Sequence, residues 1–272
     1  MITLLFVAGF FYFDWAHRKM LLLAALYAII FENFNMYLSR GLEAGYYYDT
    51  NFKLFVFDTP LFVILSWALL ITSSYYFWQS NFKISAWKNI FLSTLSVVLV
   101  DLSIDIFAIR LNFWHWIGYS LNDGFFGVPA VNYLGWFVVT IIFLSFYHVW
   151  KNNKLFYLVP IFSYLVSLII IGGYQNTVNY FAFSKSGQII FIFVFFILAY
   201  IIALYEKYKY NKSFVMHKTE EHYFFWIIRL FFHAFSLSAI IYLPITNYYI
   251  ILAFGIFVLL DIILYNLKSR LF

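Results

Sequence analysis

Apolar residues along this chain come in long runs parted by short polar stretches, at roughly residues 2–13, 20–37, 54–78, 88–109, 129–150, 155–173, 187–205, 223–243 and 246–266. Most of these runs reach the ~20 residues that a helix needs to cross a ~30 Å hydrocarbon core. The first is the shortest and the least suited to crossing. The pattern predicts an all-α fold, a polytopic transmembrane bundle of about 8–9 helices. Residues 1–272 read as a single transmembrane domain, since no linker, low-complexity stretch or soluble domain interrupts the alternation.

Within the first half a block occurs twice. One copy runs Glu32, Tyr46, Tyr48, Phe57, Pro60, Trp67, and the other Asp101, Trp114, Trp116, Phe126, Pro129, Trp136. In each, an acid lies inside an apolar helix, an aromatic-x-aromatic pair follows, and a Phe-x-x-Pro string opens the next run with a Trp seven residues beyond the Pro. Residues 20–78 and 88–150 therefore read as two related helix–loop–helix repeats, and 155–272 as additional helices. A duplicated unit with an acid inside the bilayer implies two half-sites facing one substrate.

Composition agrees with the pattern: 65% of residues are hydrophobic and 11% charged, with a mean hydropathy of +0.85. No soluble domain of this size has that balance. The chain has no cysteine, which excludes thiolate catalysis, cysteine-ligated metals and disulfides. The formal charge of +5 is spread over short loops and fits membrane topology rather than nucleic-acid binding. Of the 17 Lys and Arg residues, twelve fall in the loops at 14–19, 79–88, 151–154 and 206–222 and in the tail after 266, four fall in the alternate loops, and Arg229 lies within a run. Positive residues favour the cytoplasm, so an integral protein of the cytoplasmic membrane is expected, with the 206–222 loop and the C-terminus inside and both aromatic-x-aromatic loops outside. The first residues lack a basic start and a small-residue cleavage site, so no cleaved signal peptide is expected.

Ionisable groups within a bilayer are costly, and each needs a reason. Asp101 and Asp105 lie four residues apart and share one helix face. Counting from helix ends at 1.5 Å per residue, Asp105 and Glu32 each lie about 8 Å below the outer boundary. Asp58 and Asn132 are expected in the first turns of their helices, also on that side. These five polar groups are expected to converge, either as a carboxylic-acid site able to act as a general acid, or as a proton or cation pathway, or as acids bonded to Asn and Tyr between helices. Trp114, Trp116 and Tyr48 fall at the outer interface, where aromatic residues anchor helices or wall a pocket. Trp67 and Trp136 lie two turns deeper. In the second half, Arg229 and Asp261 fall at similar depth and predict a structural ion pair, with His233 on the face of Arg229. No HExxH, Walker or GxSxG motif and no metal-spaced His set occurs, so neither a metal nor another cofactor is expected.

The second block reads DLSIDIFAIRLNFWHW and then FFGVPAVNYLGWF. It resembles the carotenoid-biosynthesis membrane family that includes carotenoid 1,2-hydratases and bisanhydrobacterioruberin hydratase, whose signature is similar to an acid-bearing helix, a W-x-W and a G-[VI]-P-x-x-N-[FY]-x-G-W string. Gly127, Val128, Pro129, Asn132, Tyr133, Gly135 and Trp136 match that string. The first block, with Glu32, the YYYDTN loop, Pro60 and Trp67, looks like the family's N-terminal part. Ile106, where members often carry Pro, and Asn33-Phe34-Asn35, where a Gly-rich stretch is usual, depart from it. The resemblance implies acid-catalysed hydration of the terminal double bond of an acyclic carotenoid or polyisoprenoid, a hydro-lyase acting on a lipophilic substrate among membrane lipids, with other carotenoid-pathway enzymes as candidate partners. The residues expected to carry this reaction are Asp101 or Asp105 as proton donor, Glu32 as partner acid or water activator, Asn132 as orienter, and Trp114, Trp116 and Trp136 as walls, with Tyr48, Trp67 and Asp58 as further substrate contacts. The layout is also similar to membrane lycopene cyclases, but those carry Glu-Glu after the Pro, where this chain has Leu61-Phe62-Val63 and Ala130-Val131-Asn132. A carotenoid cyclase and a non-enzymatic lipid or polyprenol carrier are the alternatives.

Overall fold

The structure, a computed structural model, describes residues 1–209, 220–245 and 247–266. Among these residues the chain folds into nine α-helices and four very short strands. The helices are α1 (Ile2–Tyr12), α2 (Trp15–Leu38), α3 (Leu61–Asn81), α4 (Ala86–Arg110), α5 (Ala130–Trp150), α6 (Val159–Tyr180), α7 (Lys185–Lys209), α8 (Glu220–Tyr242) and α9 (Tyr248–Asn266). Seven of them, α2 to α8, are long and apolar enough to cross a membrane. At 11 residues α1 spans only ~16 Å, about half of a bilayer core.

The ends of the helices follow from local chemistry. Asp14 caps α2 by accepting from the His17 backbone N–H at 3.0 Å. Pro60 and Pro129 are the residues immediately before α3 and α5 rather than members of the first turn, and their fixed φ of −60° and −64° leads the chain into each helix. The central helix is α4, buried almost without break from Asn89 to Ile109 and packed by α3, α5, α8 and α9. Its hydroxyls fold back on their own helix, Thr94 to the Ile90 carbonyl and Ser96 to that of Leu92, so they remain satisfied without water.

The apolar runs locate the helices well, with two corrections. Residues 54–60, expected within a helical run, instead make a tight hairpin in which β2 (Phe55–Val56) pairs antiparallel with β3 (Thr59–Pro60). The run that fades at residue 173 continues as helix to Tyr180, preceded by a 3₁₀ turn at Lys154–Leu158. The basic 206–222 stretch is helical at both ends. Residues 210–219 and the tail after Asn266, which hold four of the twelve basic residues behind the expected orientation, lie outside the described residues.

Candidate functional site: a carboxyl-lined cavity

The two aromatic-x-aromatic strings meet each other. β1 (Tyr46–Tyr48) and β4 (Trp114–Trp116) form a two-stranded antiparallel ribbon with Tyr46 opposite Trp116, Tyr47 opposite His115 and Tyr48 opposite Trp114. The rings touch across the ribbon at centroid distances of 5.0, 5.2 and 5.9 Å. Side chains alternate between the faces of a strand, so the outer members of each string share one face and the middle members the other. Tyr46, Tyr48, Trp114 and Trp116 thus line one cavity, while Tyr47 is 55% exposed on the opposite side with His115 stacked on it.

The turns that follow are also alike. Phe57 and Phe126, the Phe residues of the repeated Phe-x-x-Pro strings, both adopt left-handed backbone, with φ of 56° and 52°. That conformation is strained for an aromatic residue and is kept only where the surroundings fix it. Arg110 does so at the second turn, donating to the Phe126 carbonyl at 2.8 Å. At the first turn, Asn33 accepts from the Asp58 backbone N–H at 2.8 Å.

Beneath the ribbon, Glu32 is buried and accepts three hydrogen bonds: from the Tyr46 hydroxyl at 2.5 Å and the Tyr48 hydroxyl at 2.8 Å on one oxygen, and from Trp67 Nε1 at 2.6 Å on the other. Trp67 then stacks on Trp136, its counterpart in the second block, at 3.7 Å and 15°. On the far side of this stack the Asn132 amide donates to Asp105 at 2.5 Å and lies 3.4 Å from Asp101. The one amide thus links both acids, which lie a helical turn apart on the same face of α4.

These groups surround a cavity of about 460 Å³. Glu32, Asp105, Asn132, Tyr48, Trp67, Trp114, Trp116 and Trp136 all line it. Asp101 is fully buried behind Asp105 and touches the cavity through it. Asp58 is a correction. It sits in the β2–β3 turn, 58% exposed, paired with Arg40 at 2.8 Å, on a separate outward crevice. The expected convergence of five groups is a convergence of four, drawn from α2, α4 and α5. The sequence reading missed a further wall, where Gly172, Gln175, Asn176 and Asn179 of α6 line the cavity. Their i, i+3, i+4, i+7 spacing is the available signal of a single helix face.

Arg229 and Asp261 form a separate cluster. They meet at 3.0 Å with both side chains 1% exposed, Arg229 also donates to the Ser96 carbonyl at 2.6 Å, and His233 Nε2 lies 2.8 Å from Asp261. Among the described residues, no group of three or more His, Cys, Asp or Glu side chains is placed to hold a metal ion.

No curated protein and no solved structure matches the chain. The sequence model of one family, described as carotenoid biosynthesis protein, matches residues 1–201, a span that holds every cavity-lining residue and ends within α7. With that match over well more than half its length, this integral membrane chain belongs to the carotenoid biosynthesis protein family.

Proposed function

We propose that this protein adds water to the terminal double bond of an acyclic carotenoid, or a similar polyisoprenoid, within the membrane. The observation that carries this reading is the joint presence, at one cavity, of two acids linked through one amide, a separately held carboxyl and a wall of aromatic faces. Hydration of a trisubstituted alkene starts with protonation to a tertiary carbocation. Two carboxyl groups held by one amide in a dry interior repel unless one of them carries a proton, and Asp101 and Asp105 are such a pair. Asp105 faces the cavity and is the donor to the alkene; Asp101 lies behind it and shares its proton. The Asn132 amide orients Asp105.

Glu32 has a different task. Three donors already converge on it, an arrangement that suits a carboxylate. It balances the developing cation and receives the proton that the attacking water gives up. The faces of Trp67, Trp136, Trp114 and Trp116 stabilise positive charge and exclude bulk water. The Lys and Arg distribution supports an orientation with this end of the bundle on the outer side.

Incubation with lycopene in heavy-oxygen water provides the test. The expected product carries the label in a tertiary hydroxyl. A product without new oxygen points to a cyclase, and tightly bound pigment with no product points to a carrier; either result sinks the hydration reading.

A further inference from the structure

The α6 wall of the cavity has no part in the mechanism above, and its chemistry is unusual for a membrane-crossing helix. Gln175, Asn176 and Asn179 share one face and line the same cavity as Glu32 and Asp105. Gln175 is half-buried, while Asn176 and Asn179 are progressively nearer the helix end and exposed. Among the described residues none of the three side chains has a hydrogen-bond partner. An amide at this depth costs free energy unless something polar meets it. Gln175 lies five residues below the end of α6, Asp105 five below that of α4 and Glu32 six below that of α2, so all three sit at about 8–9 Å from the cavity end of the bundle. A side chain at Gly172, one turn deeper on the same face, would meet nothing within 4 Å, so the wall below Gln175 is open space.

Building on the hydration reading, we propose that Gln175 is the positioning residue for the nucleophilic water, and that Asn176 and Asn179 line the route by which that water reaches it. A carboxamide suits the task. Its oxygen accepts a hydrogen from water and turns the water's lone pair toward the cation, its N–H₂ group can hold a second water, and being neutral it neither competes for the proton nor traps the cation. The step balances. The proton of Asp105 forms a new C–H bond as the π bond breaks, leaving a carboxylate and a tertiary cation. The water held by Gln175 forms the C–O bond and its surplus proton passes to Glu32, which gives it up to solvent as solvent returns one to Asp105. Without a held water, the cation's open course is to lose a proton and revert to alkene.

The partition between these fates is measurable with lycopene in deuterium oxide. Wild-type protein is expected to give mostly alcohol with little deuterium in the recovered hydrocarbon. In Gln175→Leu, alcohol should fall about tenfold, the scale of one lost positioning hydrogen bond, while deuterium in the recovered hydrocarbon rises because protonation continues. Gln175→Asn, which keeps the amide, should restore part of the alcohol, and Gln175→Met serves if the Leu variant fails to accumulate. Unchanged alcohol in both apolar variants, or alcohol and deuterium falling in parallel, overturns the inference while leaving hydration intact. A wild-type protein that forms no alcohol overturns the hydration reading itself and this inference with it.

Discussion

The molecule holds two sets of ionisable side chains within its helices, and they are built on opposite plans. Around Arg229, the acid Asp261 is met by a guanidinium at 3.0 Å and an imidazole at 2.8 Å, the guanidinium bonds a carbonyl of α4, and both members of the ion pair are 1% exposed. Around the cavity, three acids lie within reach of hydroxyl, indole and amide donors only, and Glu32 and Asp105 border open space. The first plan neutralises charge and locks α4, α8 and α9 together. The second leaves acids without cations beside a space for a ligand, which is how chemistry is arranged. Burial of charge alone therefore does not single out the proposed site in this bundle; acids without a compensating cation, beside a void, set it apart.

Substitutions can break this contrast. The largest effect is expected for Asp105→Asn, which keeps size and hydrogen bonding but removes the acid. Alcohol formation should fall by ~10²–10⁴ while thermal unfolding in detergent stays near wild type; a full-rate variant would remove Asp105 from the mechanism. Arg229→Met should behave in the opposite manner. It leaves the buried Asp261 with His233 alone and should cost ~3–5 kcal/mol of stability, which the double variant with Asp261→Leu largely recovers, with activity per folded molecule retained. If the single variant unfolds like wild type, the pair is not a structural lock. The smallest effect is expected for Asp58→Asn. Its partner Arg40 is 62% exposed, so the loss should be under ~1 kcal/mol, with turnover unchanged. A turnover defect there would extend the site beyond the cavity.

The helices were legible because lipid demands long apolar runs, and the Arg229–Asp261 pair because helical rise allows depth to be counted from the chain. The acids were legible for the same reason. What escaped had a local cause. Phe55 and Val56 are as apolar as the helix after them, so hydropathy alone merges a hairpin into a run and draws Asp58 toward the site. Gln175, Asn176 and Asn179 lower the hydropathy of the end of α6, so a helix face reads as a loop. The repeated strings were visible, but their pairing depends on where α2 and α4 end in space, and period-two alternation over three residues is too short to predict a ribbon. The stack of Trp67 on Trp136 likewise needs both helices placed before either residue can be assigned a neighbour.

The ribbon also sets an order of assembly. Tyr46–Tyr48 makes its ladder with Trp114–Trp116, a partner roughly 70 residues downstream that reaches the membrane roughly 3–14 s later at ~5–20 residues per second of synthesis. During that interval the first half stands in the bilayer with an unpaired strand edge at its surface and Glu32 under an incomplete roof. The cavity therefore closes as a late event, when the second helix pair arrives to zip against the first. Two fragments divided at the Phe82–Ser85 connection and produced together would carry complementary edges, so each could serve as the template on which the other is finished.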